Sequence, residues 1–323
     1  MLASAGAAGA ALIAGPSIAA TLADGPAGAL SETAVDAIVT RAMAERNIPG
    51  ALLVVMLKGR VLVRKAYGLS HLELAAPARP EHLYGSGSTG KMFTATAIMQ
   101  LAAAGRLRLD DPVARHLPRA PAGWAGITID QMMRHRAGLK DYDDVPDFRI
   151  ALEWTPDAFI DAVGAWPLEY APGTKFRYSN TGYVLLGFIV AQASGMSFAD
   201  YMKRHVFAPA GMASARVDDI YAILPGRAQG YASDEAGQPR RPDPVSRSIN
   251  QFGDGSLLFN ADDLIAWEGA VAANRLISAE AQRAIETATP FPDGNYPLEN
   301  YGAGLATRMV RGHRLVAHSG VWN

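Results

Sequence analysis

Cysteine is absent from all 323 residues, which excludes thiol nucleophiles, disulfides and thiolate metal sites together. An excess of charge is also lacking: 30 Lys and Arg stand against 31 Asp and Glu, a formal net charge of -1. With a pI near 6.7 and no basic run, nothing draws the chain to nucleic acid or to an anionic membrane surface. No hydrophobic run is uniform enough to make a stable membrane span. His-Glu-x-x-His and Gly-x-Ser-x-Gly are missing too, which argues against zinc peptidases and against the nucleophile elbow of α/β-hydrolases. What remains is ordinary globular composition, 49% hydrophobic and 19% charged, long enough to bury a large core.

Residues 5–23, AGAAGAALIAGPSIAATLA, form an apolar run broken by Pro16 and ending on small residues. A cut after Ala23 fits a secretory signal over 1–23 and a periplasmic or secreted protein. The alternative is a plain Ala-rich leader on a cytoplasmic protein, because Met1 to Gly9 carry no Lys or Arg.

Val35, Ile38, Val39, Ala42 and Met43 recur at helical spacing, so Ser31 to Arg46 reads as an amphipathic helix. ALLVVML, a Lys58-Gly59 turn and RVLVRKAYG read as a hairpin. From Lys91, the positions Met92, Ala95, Ile98, Met99 and Ala102 turn helical again. Residues from about 105 to 250 read as a helical subdomain, with LDDPVARHLP, ITIDQMMRHRAG, TPDAFIDAVGAW and TGYVLLGFIVAQASG as its segments. DDLIAWEGAVAAN and SAEAQRAIETA add two helices, and YGAGLATRMV and RLVAHSG return to strand. Strands at both ends with helices between predict an antiparallel sheet built from the two termini, beside an all-helical subdomain.

GSGSTGK, Gly85 to Lys91, matches three patterns. Gly85-x-Gly87-x-x-Gly90 has dinucleotide-fingerprint spacing, and Gly85-x4-Gly90-Lys91 has P-loop spacing. Both need a buried strand immediately before them. APARPEHLY is a poor one, and Met92 stands where a P-loop needs Ser or Thr. The third pattern is Ser88-x-x-Lys91. Three helical positions put the side chains about 60° apart on one face, so the amine reaches the hydroxyl. An amine held at a helix start and partly buried has reason to lose its proton near neutral pH and act as a base.

Alone, the pair is a weak motif. Tyr178-Ser179-Asn180 adds a phenol able to exchange protons and an amide able to orient a lysine or a substrate carbonyl. Read by itself, the same triplet is a helix entry with Ser179 or Asn180 as N-cap. His318-Ser319-Gly320 closes the last strand-like segment; a small residue there lets substrate pair along the strand edge, and the Val321 amide can point at an oxyanion.

Together these motifs resemble the class C β-lactamase and penicillin-binding-protein family of serine hydrolases. The likeness runs from about Ser31 to Trp322 and includes IPGALLVVMLKGRVLVRKAYGLS, GRLRLDDPVARHLP, YAPGTKFRYSNTGYVLLGFIV and GDGSLLFNADDLIAW. The resemblance implies an α/β fold over 24–323 and a two-step acyl transfer without cofactor or metal. It implies Ser88 as nucleophile, Lys91 and Tyr178 as acid and base, and Asn180 as a positioning group. His318, Ser319 and Gly320 would form the third motif, and the amides of Ser88 and Val321 the oxyanion hole.

Two departures shape the expectation. His318 stands where β-lactamases of this class carry Lys, so the chain is more similar to the D-alanyl carboxypeptidase, D-aminopeptidase and esterase branch. A protonated His318 would favour anionic substrates as pH falls towards 6. His135-Arg136-Ala137-Gly138 replaces the family's His-Thr-Ser-Gly, which unsettles the expected packing there. Two further strands and a helix would normally follow Asn323, so a C-terminally shortened chain is expected. The substrate is a small ester, amide or peptide, possession of weak β-lactamase activity included; the alternative is a non-catalytic sensor or inactive fragment on the same scaffold. Histidines 71, 82, 116, 135, 205 and 313 read as surface or loop residues. The pairs Asp110-Asp111, Asp143-Asp144 and Asp262-Asp263 read as helix-start charges.

Overall fold

The computed structural model describes residues 31–297 and 300–321; the leader expected at 1–23 lies outside them. Helix α1 (Glu32–Glu45) starts where Ser31 accepts from the Ala34 amide, a side-chain cap of the usual kind. Strands β1 (Gly50–Leu57) and β2 (Arg60–His71) form the expected antiparallel hairpin. Its Lys58-Gly59 turn has positive φ at both residues, 50° and 77°, the geometry that matches strand twist. Lys65 on β2 reaches Asp36 and Glu32 on α1, which ties the hairpin to that helix. β3 (Ala76–Pro77) pairs with β2, and β4 (Tyr84–Gly85) leads into the Ser88 turn. That two-residue strand is all that precedes the glycines.

Helix α2 (Lys91–Ala103) is followed by α3 (Ile129–Met133), α4 (Pro156–Gly164) and α5 (Asn180–Ser194). Then come α6 (Phe198–Tyr201), a π-helical stretch Met202–Phe207 and α7 (Ala208–Ala210). The core lies where α2 and α5 meet: Phe93, Ala97, Ile98, Tyr183, Leu186 and Ile189 are fully buried. Residue 105 to 250 is less helical than its sequence text suggests. LDDPVARHLP makes one 3-10 turn, Val113–Arg115, bounded by Pro112 and Pro118, while Asp111 holds the Arg108 amide, the Arg115 guanidinium and the His116 ring. Beyond α7 lie β5 (Arg216–Val217) and a hairpin of β6 (Ala232–Ser233) and β7 (Pro239–Arg240).

β8 (Leu257–Phe259) pairs with both β4 and β5. Asn260 and Asp263 form a capping box at α8 (Ala261–Ala272), so Asp262 and Asp263 are helix-start charges as expected. α9 (Ala279–Glu286) precedes the hairpin of β9 (Ala306–Val310) and β10 (His313–Ala317), turned at Arg311-Gly312. The fold is the expected α/β arrangement of antiparallel sheets and helices. Its terminal hairpins, however, are separate sheets among the described residues: β1 and β10 are not hydrogen-bonded to one another. The single sheet expected from both termini is thus present in two pieces, with no described strand bridging the edges. No single described helix is long and apolar enough to cross a membrane.

Phe93, on the same helix as Lys91, packs 4.0 Å from Trp267 and about equally on Phe207 and Phe259, at 6.1 and 6.0 Å between ring centroids. Phe93→Ala is expected to lower the unfolding free energy by about 3–5 kcal/mol, read as a lower urea midpoint at unchanged slope; a loss below about 1 kcal/mol would contradict this packing.

Candidate active site

The turn that carries Ser88 is shaped by close backbone approach. A Cβ on Gly87, at φ 49°, would meet Val321 backbone atoms at 2.8 Å, and one on Gly255 would meet the Gly87 carbonyl oxygen at 2.5 Å. Ser86 Oγ donates to the Gly255 carbonyl at 2.5 Å and accepts from the Leu257 amide. These contacts hold Gly87–Gly90 as a 3-10 turn. The helix begins at Lys91, so Ser88 lies on the 3-10 turn that precedes it.

Lys91 is fully buried. Its Nζ donates to Ser88 Oγ at 2.9 Å, Asn180 Oδ1 at 2.7 Å and the Asp254 carbonyl at 2.7 Å. Burial pulls the amine down to about 8, while the charges of Asp254, Asp141 and Asp143 work to raise it. Its place at the first position of α2 also disfavours an ammonium.

Tyr178 sits over the amine, its ring centroid 4.9 Å from Nζ. Burial pushes the phenol far above its ordinary value, with the Ser88 side chain acting in the other direction. Among the described residues no other group offers its hydroxyl a hydrogen bond of good geometry. Ser179 is the N-cap of α5, accepting from Gly182, and Asn180 is the first helical residue. The Asn180 side chain is oriented by Asp143, which accepts from its Nδ2 at 2.8 Å, and its amide donates to Asp141 at 2.5 Å. Asn180 Oδ1 is thereby left for Lys91.

The third motif follows β10 directly. A Cβ on Gly320 would come 2.3 Å from the Ser86 carbonyl oxygen and 3.1 Å from the Ser88 amide nitrogen, so the strand end lies against the Ser88 turn. The Thr89 hydroxyl donates to the His318 carbonyl at 3.4 Å. His318 itself is engaged on both ring nitrogens: Nε2 with the Tyr301 hydroxyl at 2.9 Å and Nδ1 with the Ser319 carbonyl at 2.5 Å. Since a carbonyl only accepts, Nδ1 carries the proton and Nε2 accepts from Tyr301. Burial lowers His318 to about 4. The imidazole therefore stays neutral at pH 6, and the expected gain for anionic substrates near that pH is corrected: protonation would need pH near 4.

Several residues here carried no signal in the sequence or were read otherwise. His135, expected at the surface, is buried at φ 55°. Its Nδ1 accepts from the Ser179 amide at 3.1 Å, and its ring lies 4.2 Å from that of Tyr178 and 4.7 Å from that of Tyr301. Burial holds it well below the usual histidine range. His116 is likewise buried, against Asp111. Arg136 explains how the altered loop packs: it donates to the Thr289 and Pro290 carbonyls and lies over Phe291. Asp143 is more than a helix-start charge, because it fixes Asn180. Asp141 and Asp254 were not singled out at all; burial raises both, Asp141 to about 7. A cavity of 590 Å³ opens behind the turn, lined by Tyr84, Ser86, Arg227, Tyr231 and Ser256. Ser88, Lys91 and Tyr178 do not line it.

Ser88 and Tyr178 gathered around the buried Lys91 on this α/β frame make a scaffold of the β-lactamase type. The chain belongs to the Beta-lactamase family, whose profile matches residues 35–323. It is 30% identical over 282 residues to a penicillin-binding protein of Bacillus subtilis (strain 168), covering 82% of this chain and 61% of that protein. The chain thus spans under two thirds of that relative's length. Among solved structures it is similar to the octameric penicillin-binding protein homologue from Pyrococcus abyssi, with a TM-score of 0.73, 29% identity, and coverage of 89% of this chain and 67% of that one. A D-amino acid amidase from Ochrobactrum anthropi SV3 shares the fold at a TM-score of 0.74, with 23% identity and coverage of 87% and 81%.

His135 is the support beneath Tyr178 and the acceptor for Ser179. His135→Ala leaves that buried amide unpaired and opens a gap under the ring, so a loss of about 2–4 kcal/mol in denaturant unfolding is expected; an unchanged midpoint would contradict the support role.

Proposed function

We propose that this protein is a serine hydrolase acting through an acyl-enzyme on Ser88, with a neutral carboxylic ester or amide as substrate. One observation carries the reading: the partners of Lys91 Nζ. An ammonium can donate to all three partners at once. A neutral amine keeps two N–H donors and one lone pair. The Asn180 Oδ1 and the Asp254 carbonyl can only accept, so they take the two donors. Ser88 is the one partner able to donate, and the lone pair is left facing its hydroxyl. Deprotonation of Lys91 therefore creates a base aimed at the nucleophile.

The reaction runs in two steps. Lys91 takes the Ser88 proton as Oγ attacks the carbonyl carbon and the oxyanion forms between the amides of Ser88 and Val321. The C–O or C–N bond to the leaving group then breaks, and that group takes a proton through Tyr178, whose high proton affinity suits it to remain a phenol between transfers. Water attacks the acyl-enzyme by the reverse proton route and releases the acid and Ser88.

His318 supports the substrate class. A neutral imidazole held by Tyr301 and by the Ser319 carbonyl offers a substrate carboxylate no cation. This favours esters, D-amino-acid amides and D-peptides of the carboxypeptidase type over carboxylate-bearing β-lactams. The family relation to penicillin-binding proteins and the fold shared with a D-amino acid amidase agree with it. The apolar run at 5–23, read as a secretory signal, supports action in the periplasm or outside the cell. The intact Ser88, Lys91 and Tyr178 speak against a non-catalytic sensor.

Treatment with a fluorophosphonate followed by peptide mass spectrometry is expected to place one adduct on Ser88, lost in Ser88→Ala and slowed about a thousandfold or more in Lys91→Ala. No adduct on Ser88 between pH 6 and 9 would sink the proposal. In a substrate series, p-nitrophenyl esters and D-amino-acid amides are expected to turn over faster than nitrocefin. Selectivity for an anionic over a neutral ester should stay flat from pH 7 down to 5, because His318 protonates near 4; a rise between pH 7 and 6 that His318→Gln abolishes would contradict the neutral-substrate assignment.

A further inference from the structure

The segment Gly253-Asp254-Gly255 joins a 3-10 turn (Ile249–Gln251) to β8 and passes directly behind Lys91. Both glycines are required by contact. A Cβ on Gly253 would meet the Tyr183 carbonyl at 2.6 Å, and one on Gly255 the Gly87 carbonyl at 2.5 Å. The Thr94 hydroxyl donates to the Gly253 carbonyl at 2.6 Å. Asp254 is therefore pinned between α5, α2 and the Ser88 turn, with little freedom to withdraw.

Its side chain is buried, 4% exposed. Oδ2 accepts from the Tyr142 hydroxyl at 2.7 Å, and Oδ1 has no hydrogen-bond partner among the described residues. A carboxylate desolvated with one oxygen unsatisfied is costly unless a positive charge stands near. Lys91, whose Nζ contacts the Asp254 carbonyl, is the cation beside it. The remaining groups facing Lys91 are Ser88 on its turn, Tyr178, and Asn180 and Tyr183 on α5. Asp141, Tyr142 and Asp143 face it from the preceding loop, and His135 and His318 from the far side.

We propose that Asp254 is a positioning residue for Lys91: its carbonyl fixes the direction of the amine, and its carboxylate sets how firmly the amine keeps its proton until Ser88 is attacked. This rests on the assignment of Lys91 as the base. Asp254 touches neither the nucleophile nor the carbonyl to be attacked, so it acts only through the lysine. Among the charges acting on Lys91 that of Asp254 is the largest, and the influence is mutual, since Lys91 draws Asp254 down against its burial. Asp141 and Asp143 act on it less and are occupied with Asn180.

The test reads the lysine directly and needs no turnover. In protein carrying 13C-ε-lysine, the Lys91 signal, assigned by its loss in Lys91→Met, is followed from pH 5 to 11. Asp254→Asn keeps the carbonyl and the shape but removes the charge, and the Lys91 midpoint is expected to fall by about one pH unit or more. An unchanged midpoint would overturn the proposal. A second measurement needs only the natural chain. The 13C-carboxyl shift of Asp254 should step at the same pH as Lys91, and a featureless curve through that pH would overturn it equally. Both readings remain available if Ser88 proves unreactive, so a failure here and a failure of the acyl-enzyme assignment are distinct results.

Discussion

The burial of one amine organises this protein. Lys91 stands at the first position of α2 with its side chain sealed from water, and everything around it is arranged to supply acceptors for its protons. A free lysine titrates near 10.4, so a folded value near 8 costs about 3 kcal/mol of stability wherever the native state must carry the ammonium. The sign follows from proton counting. Because the folded value lies below the unfolded one, the penalty is complete below about pH 8 and fades as pH rises towards that of the free side chain. Stability is surrendered at neutral pH to hold an amine whose proton is more easily removed there.

That exchange needs a rigid surround, and the packing provides it. Tyr178 is held from below by His135, Asn180 from the side by Asp143 and Asp141, and the Ser88 turn by glycine contacts with Gly255 and Gly320. The aromatic cluster of Phe93 with Trp267, Phe207 and Phe259 fixes α2 two residues further on. Each functional side chain is thus set by an element whose own position is over-determined, which is the condition for preorganised acid–base chemistry.

The parts legible in the sequence are those encoded over short distances. Periodicity located α1, α2, α4, α5, α8 and α9, and the turn residues located both terminal hairpins. Ser88 and Lys91 are three residues apart, and Tyr178 and Asn180 two, so spacing alone suggested that each pair shares a face. Asp254 was invisible by contrast, because its carbonyl meets Lys91 across 163 residues of chain. His135 carried no pattern either: its role depends on an amide at Ser179 and on rings from Phe176, Tyr178, Tyr183 and Tyr301. The charge state of His318 could not be read from residue type, since burial and the charge of Lys91 lower it. LDDPVARHLP looked helical because its apolar spacing fits, but Pro112 and Pro118 confine it to one turn, and Asp111 ties the Arg108 amide to the side chains of Arg115 and His116.

The central claim is that neutral Lys91 drives acylation of Ser88, and rapid-quench mass spectrometry with a p-nitrophenyl ester tests it most directly. The rate at which acyl mass appears on the Ser88 peptide should climb about tenfold per pH unit from pH 6, level off above the Lys91 value near 8, and collapse in Lys91→Met. Acylation that is independent of pH over this range, or that persists at the natural rate in Lys91→Met, would contradict the account.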